Sequence, residues 1–494
     1  MTAENVLESL GVGPGISALG ERFVERRDPT PLTDPHWVAF NPDVAALLGL
    51  DPLEAVRPEL LRLCSGGARF GHVPSYAAIY AGHQFGSYVP QLGDGRAIGL
   101  GEILAPNGER YEWQLKGAGL TAFSRFGDGR AVLRSTIREY LASEALHHLG
   151  IPTTRALAIT GSADPVRRET VETAAVLSRI APTHLRFGSF EYFHYARRHE
   201  ELKTLAGYAI ATFFPHLADA PEAHRHALWL REIVERTARL VARWQAVGFA
   251  HGVLNTDNMS ILGLTLDYGP YGFIEAYDPN FICNHSDETG RYAFGRQPSI
   301  GLWNCTALGN ALTSLIPDAA RSEALAAYEP AFETAYLAAM RAKLGLREER
   351  HEDGALIEDL LDLLERTQAD YTRFFRSLSS LRRSGNGESD EPLLALCSNP
   401  ESLEPWLRRY HERLRSEGGD DARRGAEMLR ANPKFVLRNH LAQAAIESAQ
   451  GGDFSEIARL HDVLRRPFDD DAGDERYANQ APVGMPVVEV SCSS

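Results

Sequence analysis

The chain contains 494 residues, and 66 acidic against 51 basic side chains give a formal net charge of −15 at pH 7. This acidic balance argues against nonspecific binding to nucleic acid or to anionic membranes, and no apolar stretch approaches the length of a membrane span. The length is sufficient for two lobes with extensions. The first ten residues, MTAENVLESL, lack a basic segment and arginine-rich amphipathic character, so we expect a cytoplasmic protein without a presequence.

The first predicted functional element is the glycine-rich segment 93–102, which reads GDGRAIGLGE. Glycines such as Gly93 and Gly95 let the backbone approach phosphates closely, although an isolated glycine run is more often a turn. An arginine about 4 Å from a phosphate contributes roughly 4 kcal/mol at an effective dielectric constant near 20. The segment therefore predicts a phosphate-binding loop in which Arg96 attracts the phosphates.

Residues 111–116 (YEWQLK) alternate in the manner of a half-buried strand. Tyr111, Trp113 and Leu115 share one face, and Lys116 lies on the other. We therefore expect Lys116 to point away from the core, towards whatever the glycine-rich segment covers. An ordinary solvated strand lysine gives the same pattern.

A helix is predicted over about residues 131–149, and Gly150 and Pro152 end it. Glu139 lies on a stripe of apolar and small residues rather than on the solvent face. An unpaired buried carboxylate costs several kcal/mol, so Glu139 needs a cationic partner, and Lys116 is the obvious one. A strand lysine paired with a helix glutamate positions phosphates in kinase folds.

The segment HGVLNTDN (251–258) is followed, nine residues after Asn258, by Asp267. The residues between them predict two short apolar strands around Gly263, a tight hairpin that brings its two ends together. Amide and carboxylate oxygens at one point suit Mg²⁺ or Mn²⁺ holding phosphates, as in kinase-like enzymes. Considered alone, Asn258 or Asp267 could equally be a turn residue whose side chain hydrogen-bonds the nearby backbone.

One position of this loop departs from the kinase pattern. His251 and Asn258 keep the eight-residue frame of kinase-like catalytic loops, but Val253 stands where those loops carry the catalytic aspartate. Asp257 is the only carboxylate left in the loop. The order of glycine loop, strand lysine, helix glutamate, catalytic-type loop and metal aspartate over about 175 residues nevertheless predicts a kinase-like protein.

Longer stretches make the match specific. They are the segments 81–102, 113–157, 251–273 and 278–304 and the terminal Cys492-Ser-Ser. In these segments the chain resembles the selenoprotein O (YdiU) family of pseudokinases, which act as protein adenylyltransferases. The likeness spans nearly the whole chain, and some members carry selenocysteine near the end, where this chain has Cys492.

The resemblance implies an α+β, bilobal protein-kinase-like fold that binds ATP in a flipped orientation, with the α-phosphate facing the acceptor. AMP would pass to a Ser, Thr or Tyr hydroxyl of a protein substrate and pyrophosphate would leave; UTP stays open as a second donor. Asp257 would be the general base, and Asn258 and Asp267 would bind Mg²⁺ or Mn²⁺. The residues expected at the nucleotide are Gly93, Gly95, Arg96, Lys116 with its partner Glu139, Asp128, Gly129, Arg179, Arg186 and Asp267. Arg179 and Arg186 also read as simple surface charges.

These anchors predict four segments, and we expect the protein to be a monomer. They are an N-terminal extension (1–80), an N-lobe with the nucleotide loop (81–200), a C-lobe with the catalytic and metal loops (201–340), and a helical extension with a tail (341–494). A flexible loop is expected at residues 382–391.

The five cysteines show no C-x-x-C spacing, so no zinc site is expected. Cys283 follows the Asp267 segment, and Cys492 lies in the tail. Bacterial relatives are thought to close a disulfide between such positions. The resemblance thus implies a regulatory bond that a thioredoxin-type reductant would open.

Two other functions compete with adenylyl transfer. A non-catalytic ATP-binding pseudokinase scaffold is favoured by Val253, but it has no need of Lys116, Glu139, Asn258 and Asp267. An ordinary small-molecule kinase is disfavoured by the same valine.

Overall fold

The computed structural model of the chain describes residue 7, residues 10–51, 57–71, 73–385, 390–471 and 475–482, and positions 484, 485, 488 and 490. A large antiparallel sheet is formed by residues before 182, and most of the remaining chain is helical. This mixture agrees with the predicted α+β class. None of the helices in the described residues is long and apolar enough to cross a membrane. The expected flexible loop 382–391 lies partly outside the described residues.

The described residues form thirteen strands. They are β1 (Val12–Gly13), β2 (Val24–Arg26), β3 (His36–Phe40), β4 (Tyr76–Ala78), β5 (Gly82–Gln84), β6 (Ser87–Val89), β7 (Ala97–Leu104), β8 (Arg110–Lys116), β9 (Ala131–Val132), β10 (Arg155–Arg167), β11 (Val171–Ala181), β12 (Phe249–Ala250) and β13 (Gly272–Phe273).

The main sheet joins strands from distant parts of the sequence. Within the described residues it has nine strands in the order β2-β4-β7-β8-β11-β10-β3, with β1 beside β7 and β9 beside β11. Residues 12–40 supply three of them. The pairs β5 with β6 and β12 with β13 form two separate two-stranded sheets.

Strand β8 shows the predicted alternation with one difference. Trp113 and Leu115 are fully buried in the apolar core on one face. Gln114 and Lys116 lie on the other face, but Gln114 is also buried, with 2% of its surface exposed. This face of the strand is therefore directed towards the protein interior rather than towards solvent, and its side chains are polar.

The helices follow mainly after the sheet. They are α1 (Pro42–Leu47), α2 (Pro58–Cys64), α3 (Leu133–His148), α4 (Phe187–Tyr195), α5 (His199–Phe213), α6 (Glu222–Val247), α7 (Gln297–Ala311), α8 (Asp318–Leu325), α9 (Tyr328–Leu344), α10 (Asp353–Thr367), α11 (Tyr371–Ser377), α12 (Glu391–Leu394), α13 (Glu404–Glu417), α14 (Asp421–Ala431), α15 (Asn439–Gln450) and α16 (Ser455–Leu464).

Helix α3 is the helix predicted at about 131–149, and it carries Glu139. It begins at Leu133, because the two preceding residues pair with β11, and the chain leaves it through Gly150 at a φ of 76°. Its apolar residues, such as Ile137, share one core with Leu460 of α16. The helix packs against β10 and β11 and also against α15 and α16, so the C-terminal helices fix the position of Glu139.

The hairpin expected between Asn258 and Asp267 is wrong in detail. Met259 and Thr265 form one isolated bridge instead of two strands. The reason is that Ser260 pairs with Arg186, outside the hairpin, and the chain there binds neighbouring segments rather than itself. The single bridge still brings the two ends of the segment to one place.

Candidate active site

A cavity of about 600 Å³ lies between the sheet, the glycine-rich segment and the loop 251–258. Most of the residues predicted to bind nucleotide or metal line it. Glu139 and Arg186 are not in its wall but contact residues that are. The predicted residues in the wall are Gly93, Gly95, Arg96, Lys116, Asp128, Gly129, Arg179, Asp257, Asn258 and Asp267.

The predicted pair of Lys116 and Glu139 is present. Nζ of Lys116 donates to Oε2 of Glu139 at 2.5 Å, and Nη1 of Arg179 contacts the other carboxylate oxygen at 3.2 Å. Burial lowers the pKa of Lys116, and the charge of Glu139 opposes that shift. Glu139 thus compensates two buried cations at the wall of the cavity.

Asp267 is the point at which the cations of the site converge. Its Oδ1 accepts from Nη1 of Arg179 at 2.6 Å and lies 3.6 Å from Nζ of Lys116. Its Oδ2 accepts from Nη1 of Arg186 at 2.5 Å. Burial favours a raised pKa, but the charges of Arg186, Arg179 and Lys116 outweigh it and hold the pKa of Asp267 well below its ordinary range. Asp267 is therefore an anion, and its φ of 59° is unusual for a residue other than glycine.

Arg179 and Arg186 are both buried, each with 2% of its surface exposed, so their interpretation as surface charges is wrong. Nη2 of Arg179 donates to Oε1 of Gln114 at 2.6 Å. The guanidinium of Arg186 lies 4.4 Å from the ring centre of Tyr80. Buried arginines with fixed partners are suited to binding phosphate, because the guanidinium stays charged and its donors are already oriented.

The sequence GDGRA occurs twice, at residues 93–97 and 127–131, and the two segments have different surroundings. Asp94 of the first is buried, and its Oδ2 accepts from the amide of Gln114 at 2.8 Å. Asp128 of the second is partly exposed and binds Arg168 at 2.8 Å and 3.0 Å. A Cβ atom on Gly93 would lie 2.2 Å from the ring of Phe123. Glycine at this position therefore lets the ring of Phe123 pack directly on the backbone of the first segment beside the cavity.

Asp257 is held at both its backbone and its side chain. Its carbonyl accepts from Nη1 of Arg186 at 2.7 Å, and its Oδ2 accepts from Nε2 of Gln84 at 3.1 Å. Its Oδ1 has no hydrogen-bond partner among the described residues. Burial raises the pKa of Asp257 to about 7, although the bond from Gln84 and the charge of Arg186 lower it. Val253, in the position of the kinase base, is buried and lines the cavity.

The oxygen donors of Asn258 and Asp267 fit a hard divalent cation. Nδ2 of Asn258 donates to the carbonyl of Val253 at 3.0 Å, which leaves the amide oxygen available to a cation. The described residues contain no cluster of three or more His, Cys, Asp or Glu side chains arranged for a metal. Two protein oxygens completed by phosphates and water are the usual arrangement for Mg²⁺.

Sequence reasoning missed three polar residues that shape this site. Gln114 lies on the Lys116 face of β8, so the strand alternation contained a signal for it. Arg168 and Gln84 gave no local signal. Gln84 lies 173 residues from its partner Asp257 in the chain, and only the fold brings the two together.

The cavity combines the cations Arg96, Lys116 and Arg179 with a glycine-rich wall and two oxygen donors. This set of groups is suited to binding a polyphosphate. Comparison with known proteins agrees with this interpretation. The sequence model of the family described as protein adenylyltransferase SelO matches residues 7–465, and the chain belongs to this family.

The similar proteins carry a consistent description. The chain is 52% identical over 488 residues to a protein nucleotidyltransferase YdiU of Myxococcus xanthus, with 99% of each chain covered. It is 53% identical over 499 residues to the protein of the same description from Thioalkalivibrio sulfidiphilus, again covering 99% of each. A third, from Thiobacillus denitrificans, is 50% identical over 489 residues and covers 99% of each. The chain is thus a nucleotidyltransferase.

Proposed function

We propose that the chain is a protein adenylyltransferase of kinase-like fold, which transfers AMP from ATP to Ser, Thr or Tyr hydroxyls of protein substrates. The observation that carries this is the combination of Val253 with an otherwise complete site. An apolar residue replaces the kinase base, while Lys116 and Glu139 remain paired and Asp267 remains charged. A scaffold needs no such compensated charges, because buried ions are costly to keep.

The distribution of charge supports a nucleotide that lies with its phosphates towards the cationic end of the cavity. Lys116 and Arg179 line that end, and Arg186 stands directly behind Asp267. Arg96, Gly93 and Gly95 line the glycine-rich wall, and Asp128 and Gly129 lie on the facing segment. We propose that these groups hold the ribose and phosphates so that the α-phosphorus faces Asp257.

AMP transfer forms one bond to the α-phosphorus and breaks another. The acceptor hydroxyl oxygen bonds to the α-phosphorus, the bond from that phosphorus to the bridging oxygen of the β-phosphate breaks, and pyrophosphate leaves with the electron pair. Asp257 accepts the hydroxyl proton and later releases it to solvent. A divalent cation at Asn258 and Asp267, Mg²⁺ or Mn²⁺, would neutralise phosphate charge. UTP, with the same triphosphate, is proposed as a second donor.

The products distinguish this proposal from its alternatives. Incubation with ATP, a divalent cation and a mixture of unfolded proteins as acceptors is expected to release pyrophosphate in step with AMP attached to protein. Release of ADP would identify a kinase. Binding of ATP without either product, in the presence of Mg²⁺ or Mn²⁺, would identify a scaffold.

We also propose that a disulfide between Cys283 and Cys492 regulates this activity. Cys492 lies outside the described residues. The support comes from the tail next to it: the carbonyl of Val490 accepts from the backbone N–H of His285 at 2.8 Å. The Sγ atom of Cys283 in turn lies 2.8 Å from the carbonyl oxygen of Pro270, three residues after Asp267.

The expected result is that oxidation lowers turnover several-fold and that thioredoxin with its reductase restores it, because the bond would tether the segment after Asp267. Peptide mapping of the oxidised protein should yield the linked 283–492 peptide. Cys492→Ser should remove the redox response, whereas Cys305→Ser, at a fully buried cysteine of α7, should keep it. A redox response that persists in Cys492→Ser would contradict the assignment.

A further inference from the structure

The hairpin of β5 and β6 lies directly on the loop that carries Asp257. Three successive hairpin residues contact three successive loop residues. The backbone N–H of His83 donates to Oγ1 of Thr256 at 2.7 Å, Gln84 donates to Asp257, and the backbone N–H of Phe85 donates to Oδ1 of Asn255 at 3.3 Å. The hairpin is therefore hydrogen-bonded to three neighbouring residues of the loop, including Asp257.

Buried contacts fix the hairpin independently of Gln84. Nδ1 of His83 lies 2.6 Å from Oε1 of Glu191, a fully buried residue of α4. The second oxygen of Glu191 accepts from the hydroxyl of Thr256, so one carboxylate ties the hairpin to the loop. A Cβ atom on Gly82 would lie only 2.6 Å from Oδ1 of Asp257, which shows how closely the two backbones approach.

We infer that Gln84 is a positioning residue for transfer: its side-chain amide donates to Oδ2 of Asp257 and fixes the orientation of this carboxylate at the cavity. This inference rests on the proposed function. A carboxamide N–H can donate to a carboxylate but does not take its proton, so Gln84 orients the group without competing for the acceptor proton. The other oxygen, Oδ1, is buried where β5 passes closest to the loop, so Gln84 provides the one side-chain hydrogen bond to this carboxylate among the described residues.

Removal of this contact is expected to lower turnover by about 10- to 100-fold, because small misplacement of a reacting group is costly. Gln84→Met keeps the size of the side chain and removes the amide, and Gln84→Ala tests the same contact by truncation. The KM for ATP and the Kd of a non-hydrolysable ATP analogue should stay within about twofold of the parent values, because Gln84 contacts the base rather than a group that holds phosphate. Ser87→Ala, at the exposed first residue of β6 in the same hairpin, is the matched control and should leave turnover unchanged.

A double-mutant cycle separates positioning from a merely structural effect. If Gln84 acts through Asp257, Gln84→Met should change the residual rate of the Asp257→Asn protein by less than about twofold. An equal loss in both backgrounds, or a parallel loss of ATP affinity and thermal stability, would overturn the inference. Unchanged or increased turnover in Gln84→Met would also overturn it. If Asp257→Asn itself transfers AMP at the parent rate, the assignment of the base fails, and that result is distinct from a failure at Gln84 alone.

Discussion

Asp267→Ala is expected to lower nucleotide transfer by about 10³-fold or more, because it removes the proposed charged ligand of the divalent cation, and such a ligand contributes several kcal/mol to stabilising the developing charge. The same carboxylate also compensates Lys116, Arg179 and Arg186. The measurement is the initial rate of AMP incorporation at saturating ATP over a titration of Mg²⁺ or Mn²⁺. Asn258→Ala should cost less, since a neutral ligand contributes less charge.

Loss of folding must be separated from loss of catalysis in this experiment. Removing one partner of a buried ion pair costs about 3–5 kcal/mol, so thermal unfolding of each variant should be recorded. Asp267→Asn keeps the shape of the side chain and serves as the milder variant. Glu172→Gln, which breaks the pair of Glu172 with Arg134, is the control for loss of a charge elsewhere on the sheet. Full activity of a folded Asp267→Asn protein would contradict the site.

Asp257→Asn is expected to lower turnover by about 10²- to 10⁴-fold, the usual range for loss of a general base. The amide keeps the size of the carboxylate and can still contact Gln84, so the loop should stay in place. ATP affinity should change little, because the side chain of Asp257 contacts Gln84 and no cation of the phosphate end. Turnover and the Kd of a non-hydrolysable ATP analogue are the two measurements.

The assignment of Asp257 as the general base requires that turnover falls while the affinity for the ATP analogue stays nearly constant. A collapse of nucleotide affinity together with turnover would identify Asp257 as a metal or structural group. Turnover equal to that of the parent would place the base elsewhere. In that case the loop 251–258 would keep the spacing of a kinase catalytic loop but would contain no base in place of the aspartate that Val253 replaces.

Local sequence patterns predicted those parts of the site that depend on a single strand or helix. The face of Lys116 follows from the alternation of β8, and the inward position of Glu139 follows from the apolar stripe of α3. Burial of a charge demands a partner, and the structure contains that contact. Both inferences needed only the repeat of side-chain positions along a strand or helix and the energetic cost of burying an unpaired charge.

The remaining features depend on contacts between distant segments, which no local period encodes. The local pattern around Arg179 and Arg186 equally allowed surface charges, and only the family resemblance predicted that they lie at the nucleotide. In the structure, Asp267 and the polar face of β8 enclose them. The hairpin expected after Asn258 is reduced to the single bridge of Met259 with Thr265, because Ser260 pairs with Arg186 instead. The contact of Gln84 with Asp257 has the same origin, since the two residues lie 173 positions apart in the chain.

The position of the transferred phosphorus tests the central claim most directly. Two parallel reactions, one with ATP labelled at the α-phosphorus and one with ATP labelled at the γ-phosphorus, should be run with the parent protein and with Asp257→Asn. We expect label on protein only from the α-position, and a loss of that label in Asp257→Asn. Label on protein from the γ-position would contradict the account, because it would make the chain a kinase that uses a base other than the one proposed.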